Sequence, residues 1–313
     1  MASISPVNKG PDDLAVSLRG VTKHYGPLHA VDGVDLSIQR GEIFGLIGHN
    51  GAGKSTLFKM MLGLIPVTAG EVLIGGASVS GRGFRAARRH LGYLPENVVL
   101  YDNLSGLETL HFFARLKHAP VAQCASALAR VGLDQVGARP VREYSKGMRQ
   151  RLGFAQALLG SPQVLFLDEP TNGLDPQAIR DFYATLRVLR DQGVTVVITS
   201  HILAELQERV DRLAIMAAGK LLAVGSVQAL REQTHMPLVL ELQLADHEGP
   251  LVAQALATLP GVSAEATVSG LRLRCPRASK MAVLATLASF GPRVLDVTMR
   301  EPSLEDVFFG LAE

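Results

Sequence analysis

The segment Gly48-His49-Asn50-Gly51-Ala52-Gly53-Lys54-Ser55, followed by Thr56, has the form G-x-x-x-x-G-K-[ST], an order of residue types suited to holding a chain of phosphates. Glycines let backbone N–H groups turn inward around phosphate oxygens, and a helix starting at the lysine adds its positive end. Lys54 supplies a full charge and the Ser55 hydroxyl a ligand for Mg²⁺. A second segment, Val164-Leu165-Phe166-Leu167-Asp168-Glu169, is an apolar run ending in two carboxylates. There Asp168 would hold Mg²⁺ through a water, and Glu169 would polarise a water for attack on a terminal phosphate. Both segments point to hydrolysis of a nucleoside triphosphate. Asn8-Lys9 is followed by Gly and Pro, and no Asn-Lys-x-Asp guanine-reading motif occurs, so the expected nucleotide is ATP.

These groups need a strand before the glycine-rich turn and a helix after it, which Ile43–Ile47 and Ser55–Leu64 predict. Alternation through Leu14–Val21 and Ala30–Ile38 predicts antiparallel strands with one wet face. Glu71–Ile74 and Leu91–Leu94 read as further strands, and the basic stretch Arg82–Arg89 as a solvated helix face. From Leu104 to Gly160 the spacing is helical, over Leu107–Leu116, Ala122–Val131 and Leu152–Leu159. Strand runs return at Val164–Leu167, Val194–Thr199 and Leu213–Met216, alternating with helices near Gln177–Arg190 and Leu203–Arg209. This alternation predicts an α/β fold with a mostly parallel sheet. After about Thr234 come a strand at Leu238–Leu244, a helix at Leu251–Leu259, strands at Ser263–Val268 and Leu271–Arg274, a helix at Lys280–Phe290 and a strand at Val294–Met299. That β-α-β-β-α-β order is ferredoxin-like, with a final helix expected from Ser303.

The 313 residues are 47% hydrophobic and 19% charged, which excludes intrinsic disorder. A formal charge of +2 announces no nucleic-acid partner. The longest charge-free stretches, Leu152–Leu167 and Gly249–Ala264, contain proline and fall short of the about 20 apolar residues a membrane span needs. The start, MASISPVNKGPDD, lacks the apolar core of a secretory signal, so a cytoplasmic location is expected. Cys124 and Cys275 lie outside any ligand spacing and the histidines are scattered, so no metal other than Mg²⁺ is expected.

The order of motifs resembles the ATP-binding subunit of ABC transporters across roughly residues 14–230. The resemblance implies a P-loop NTPase of ABC type over 14–234 with an antiparallel β subdomain and a helical insertion at about 97–160. A flexible N-terminus would precede it at 1–13, and a small C-terminal α+β domain would occupy 235–313. Tyr25 matches the aromatic that stacks on adenine, and His201 matches the switch histidine that contacts the γ-phosphate. Tyr144-Ser145-Lys146-Gly147-Met148 stands where the family has Leu-Ser-Gly-Gly-Gln, and Asn172-Gly173-Leu174-Asp175 matches the D-loop. In that family two copies pair head to tail, so Ser145, Gly147 and Asp175 of one would meet ATP held by the other. The helix starting at Ser145 offers an anion site that becomes useful only when a phosphate is brought to it. Two departures stand out: Glu96 replaces the glutamine near Mg²⁺, and Lys146 and Met148 replace a glycine and a glutamine in the signature. The implied assembly is a homodimer on a separate multi-span permease, at the cytoplasmic face of the inner membrane. Tyr101, Leu104 and Phe112 could line a groove for that permease.

Arg88–Val98, Phe112–Lys117, Tyr144–Gly153 and His49 resemble, more narrowly, the ATPase subunit of the transporter that helps mature nitrous oxide reductase. This would add a periplasmic copper-handling protein as a partner, with copper held there rather than on this chain. The alternatives are an exporter of drugs or polysaccharides, a soluble ABC ATPase without a membrane partner, and an ATP-dependent regulator.

Overall fold

The computed structural model describes residues 13–233, 237–245, 247–268 and 270–300. The expected final helix from Ser303 lies outside them, as does all of the expected flexible N-terminus except Asp13. The chain forms two compact units, Met1–Ser226 and Val227–Glu313.

In chain order the first unit runs β1 (Leu14–Tyr25), β2 (Leu28–Gln39), β3 (Ile43–Ile47), α1 (Lys54–Met61), β4 (Ala69–Ile74), β5 (Ala77–Ser78), α2 (Phe84–Ala87) and β6 (Leu91–Leu94). It continues through α3 (Gly106–Lys117), α4 (Gln123–Arg130), α5 (Lys146–Leu158), β7 (Val164–Asp168), α6 (Pro176–Asp191), β8 (Thr195–Ser200), α7 (Leu203–Leu206), β9 (Arg212–Ala217) and β10 (Lys220–Gly225).

Two sheets result. The first, ordered β2-β1-β4-β5, is antiparallel, as the alternating sequence requires. The second is ordered β10-β9-β3-β8-β7-β6 and is parallel except for its edge strand β10. Strands β3, β7 and β8 are buried at every position, which explains their continuous apolar runs. Because these strands run parallel, their carboxyl ends share one edge. The register sets Ile47 beside Ser200 and Asp168 beside Thr199. Phe58 of α1 meets Phe166 of β7 edge to face, with centroids 5.5 Å apart, so the helix after the glycine-rich turn is packed onto the carboxylate strand.

Local sequence rules misplace some boundaries. Helix α5 begins at Lys146, where the signature segment implies a helix start, rather than at Leu152 where the apolar spacing begins, because Ser145 caps it by accepting the Met148 N–H. The arginines of Arg82–Arg89 are exposed, as a solvated face requires, but the stretch is not one regular helix. Helix α2 is a single turn, and Arg88 donates to the Gly63 carbonyl at 2.6 Å while stacking on Phe84. Strands β5 and β10 carry too few alternating residues to stand out in the sequence.

The second unit contains α8 (Val227–Gln233), β11 (Leu238–Leu244), α9 (Gly249–Leu256), β12 (Ser263–Thr267), β13 (Gly270–Cys275), α10 (Lys280–Ser289) and β14 (Val294–Arg300). Its sheet, ordered β12-β13-β11-β14, is antiparallel throughout. Leu238, Leu240, Leu242 and Leu244 alternate onto one face and form a core with Val252 and Leu256 of α9 and Val283 and Leu287 of α10.

Candidate nucleotide site

The glycine-rich loop is a tight turn between β3 and α1. Gly53 sits at φ 102°, and a Cβ there would lie 2.4 Å from the Ala30 carbonyl oxygen, so glycine is required. Lys54 is buried at the first position of α1. Its Nζ donates to the carbonyls of Gly48 at 2.6 Å and His49 at 3.2 Å, leaving a third donor for an anion. Burial lowers the Lys54 pKa, while the negative charges of Glu169, Asp168 and Glu96 act in the opposite direction.

At the end of β7, Asp168 and Glu169 are both buried. The Thr199 hydroxyl donates to Asp168 Oδ1 at 2.6 Å and accepts the Glu169 N–H at 3.0 Å. Glu169 adopts φ 46°, a left-handed conformation unusual for a residue with a side chain. Such strain persists where the surroundings over-determine it, and it clusters at active sites. Here Thr199 fixes the Glu169 N–H and Asn172 donates to its carbonyl at 3.2 Å. His201, just beyond β8, places Nδ1 2.7 Å from Glu169 Oε2.

A cleft of about 540 Å³ gathers Tyr25, Asn50, Gly51, Ala52, Gly53, Lys54, Ser55, Thr56, Glu96, Glu169 and His201. Gly48 and His49 form the start of the same loop, and Asp168 lies behind Glu169 in the chain. Tyr25 is half exposed, with Lys23 Nζ over its ring, 5.1 Å from the centroid. Ser55 and Glu96 line the cleft and Asp168 ends β7; all three carry oxygen donors, the hard type that suits Mg²⁺. Leu28, His29, Ala30, Ala218 and Gly219 also line the cleft. Nothing in the local sequence marks these five, since chain reversal at the β1–β2 and β9–β10 turns brings them in.

Ser145, Gly147 and Asp175 do not join this cleft. With Lys146, Gly173 and Leu174 they line another, of about 560 Å³. The Ser145 Oγ accepts the Met148 N–H at 3.2 Å and Asp175 Oδ1 accepts the Ala178 N–H at 2.8 Å, so both cap helices. The buried Gln150 of α5 donates to the Pro170 carbonyl at 3.1 Å, tying this second face to the carboxylate strand. Gln150 and Thr199 are further polar residues that the local sequence does not mark. Burial makes them identifiable only once the fold is known. The histidines are likewise less scattered than the sequence suggests, since the β1–β2 hairpin closes His24 against His29.

Fold and site define an ATPase of the ABC class. Residues 31–172 match the family model described as ABC transporter. Over 96% of its length the chain is 34% identical to the daunorubicin resistance ATP-binding protein DrrA3 of Streptomyces coeruleorubidus, covering 96% of that protein. Over 94% it is 36% identical to YhcH of Bacillus subtilis, an uncharacterised ABC transporter ATP-binding protein, covering 94% of it. A solved ATP-binding subunit of an ABC transporter superposes with a TM-score of 0.65 at 29% identity, covering 70% of this chain and 92% of that one. The chain therefore belongs to the ATP-binding subunits of ABC transporters, an ATPase family in which hydrolysis is coupled to transport, and is homologous to a drug-resistance member. No helix among the described residues is long and apolar enough to cross a membrane.

Proposed function

We propose that two copies of this chain close head to tail on ATP, and that closing and reopening drive a separate multi-span permease at the cytoplasmic face of the inner membrane. The observation carrying this reading is the division of the site residues between two clefts of one chain. One holds the phosphate loop, Glu169 and His201, and the other holds Ser145, Gly147 and Asp175. Each half lacks what the other offers, so a second copy completes both. Tyr25 stacks on adenine, and Lys54 and the loop N–H groups hold the phosphates. Ser55, Glu96 and Asp168 hold Mg²⁺, which when bound neutralises phosphate charge. Glu169 accepts the proton of the attacking water. His201, anchored on Glu169, orients that carboxylate and contacts the terminal phosphate.

Export of drug-like molecules is the favoured transport role, since a relative matching nearly end to end is named for daunorubicin resistance. Maturation of nitrous oxide reductase, with a periplasmic copper-handling partner, rests on the short segments around Arg88–Val98 and Tyr144–Gly153. The permease would dock on Tyr101 and Phe112, exposed aromatics packed edge to face at 5.6 Å. Sedimentation of Glu169→Gln with Mg-ATP tests the central reading. A dimer that forms with ATP and is absent with ADP is expected, and a monomer at all ATP concentrations would overturn it. Growth on daunorubicin of cells carrying this chain with its co-expressed permease tests the transport role, and no protection would remove it.

A further inference from the structure

The β1–β2 hairpin carries a cluster that nucleotide chemistry does not use. His24 and His29 are cross-strand partners beside the two-residue turn Gly26-Pro27, with ring centroids 3.8 Å apart and planes tilted by 34°. Asp32, farther along β2, places Oδ1 4.0 Å from His29 Nδ1. One donor atom from each of the three lies within 4.8 Å of the others. His24 Nε2 is shielded from solvent and has no hydrogen-bond partner, an arrangement that is costly unless something binds there. The second oxygen of Asp32 faces Lys220 Nζ at 3.3 Å, so a cation already sits beside this carboxylate while Oδ1 stays available.

Two imidazoles and a carboxylate form a borderline donor set that selects divalent transition metals over Mg²⁺ or Ca²⁺. Bonds of about 2.0–2.1 Å to such an ion require the donors to close in by side-chain rotation, and the strand pairing keeps their backbones in place. We propose that His24, His29 and Asp32 form a site for a divalent transition-metal ion of the Zn²⁺ class, with one coordination position open to water. His29 and Tyr25 share the wall of the nucleotide cleft, so an ion here would pin the hairpin that carries Tyr25 and tighten ATP binding. This second effect rests on the assignment of ATP to that cleft.

Calorimetric titration of the tag-free, full-length chain with Zn²⁺, without nucleotide, tests the site independently of ATP. One ion per chain is expected, with affinity at least tenfold weaker in the double variant His24→Gln, His29→Gln. Equal Zn²⁺ binding by wild type and variant, or no binding by wild type at millimolar Zn²⁺, would overturn the site. The single variant His29→Gln, at a half-exposed position, gives the same comparison should the double variant fail to fold. ATP affinity measured with and without Zn²⁺ in EDTA-treated wild type should rise severalfold with the metal. ATP binding unaltered by bound Zn²⁺ overturns the coupling alone, and failure to bind ATP in either condition overturns the nucleotide assignment instead.

Discussion

The hydroxyl of Thr199 donates to Asp168 Oδ1 at 2.6 Å, from the position directly opposite it in the parallel pairing of β7 and β8. The same oxygen accepts the Glu169 N–H, so one fully buried threonine orients the carboxylate proposed to hold Mg²⁺ and fixes the backbone of the proposed base. Thr199→Val keeps the shape and removes both bonds. The expected result is a 10- to 100-fold lower kcat with KM for ATP changed less than threefold, and a stability loss of about 1–3 kcal/mol. Steady-state ATPase assays and urea unfolding check both, and an unaltered kcat would remove Thr199 from the site.

Gly53→Ala meets two obstacles, a φ of 102° and a Cβ 2.4 Å from the Ala30 carbonyl oxygen. Loss of nucleotide binding by at least tenfold is expected, with a destabilisation of about 1–3 kcal/mol. Titration with a fluorescent ATP analogue reads the first effect and thermal melting the second.

Tyr25 presents a half-exposed ring to the cleft, with Lys23 Nζ 5.1 Å from its centroid. If the ring stacks on adenine, Tyr25→Phe leaves ATP affinity within twofold while Tyr25→Ala weakens it by about 1–3 kcal/mol, the range of base–aromatic stacking. Equal losses in both variants would instead implicate the hydroxyl.

Lys146 stands at the first turn of α5 in the second cleft, its stem so close to Gly173 that a Cβ there would meet Lys146 Cδ at 2.9 Å. Its charge would face the partner's phosphates on closure. In a Glu169→Gln background, Lys146→Gly should weaken ATP-driven dimerisation at least threefold by sedimentation equilibrium. Unchanged dimerisation would assign Lys146 to helix packing alone.

Lys117 is held by burial at a pKa of about 8, below the ordinary lysine value of 10.5, and its Nζ donates to the Leu159 carbonyl. Between those two values the unfolded chain retains a proton that the folded chain has released, so stability rises with pH across that window. Below about 8 the penalty for burying the charge is fully present. Lys117→Met should therefore be more stable than wild type by about 1 kcal/mol at pH 7, after discounting the lost hydrogen bond. That advantage should vanish by pH 10. Urea unfolding at both pH values checks it, and a difference that does not vary with pH would contradict it.

The phosphate loop, the carboxylate pair and the strands carrying them were legible because their signals are local. Gly48–Ser55 encodes its own turn and helix start, and a run such as Val164–Leu167 declares burial on both faces. The β-α-β-β-α-β order after Thr234 was legible in the same way, through alternating leucines in β11. Thr199, Gln150 and the His24–His29 pair were not. A buried threonine in a strand has the same local signature whether it is packed on carbon or bonded to a carboxylate, and strand register decides which. Two histidines five positions apart become neighbours only when a tight turn folds one strand onto the next.

Residue type and short spacing set which groups are available: a glycine-rich loop ending in a lysine, a pair of carboxylates and hard oxygen donors. How these groups are distributed follows from tertiary packing. Parallel pairing of β3, β8 and β7 brought the loop, Glu169 and His201 to one edge. The capped starts of α5 and α6 instead placed Ser145, Gly147 and Asp175 around another cleft. The division arises because strand register and helix packing depend on contacts between residues distant in the chain, which no local spacing records.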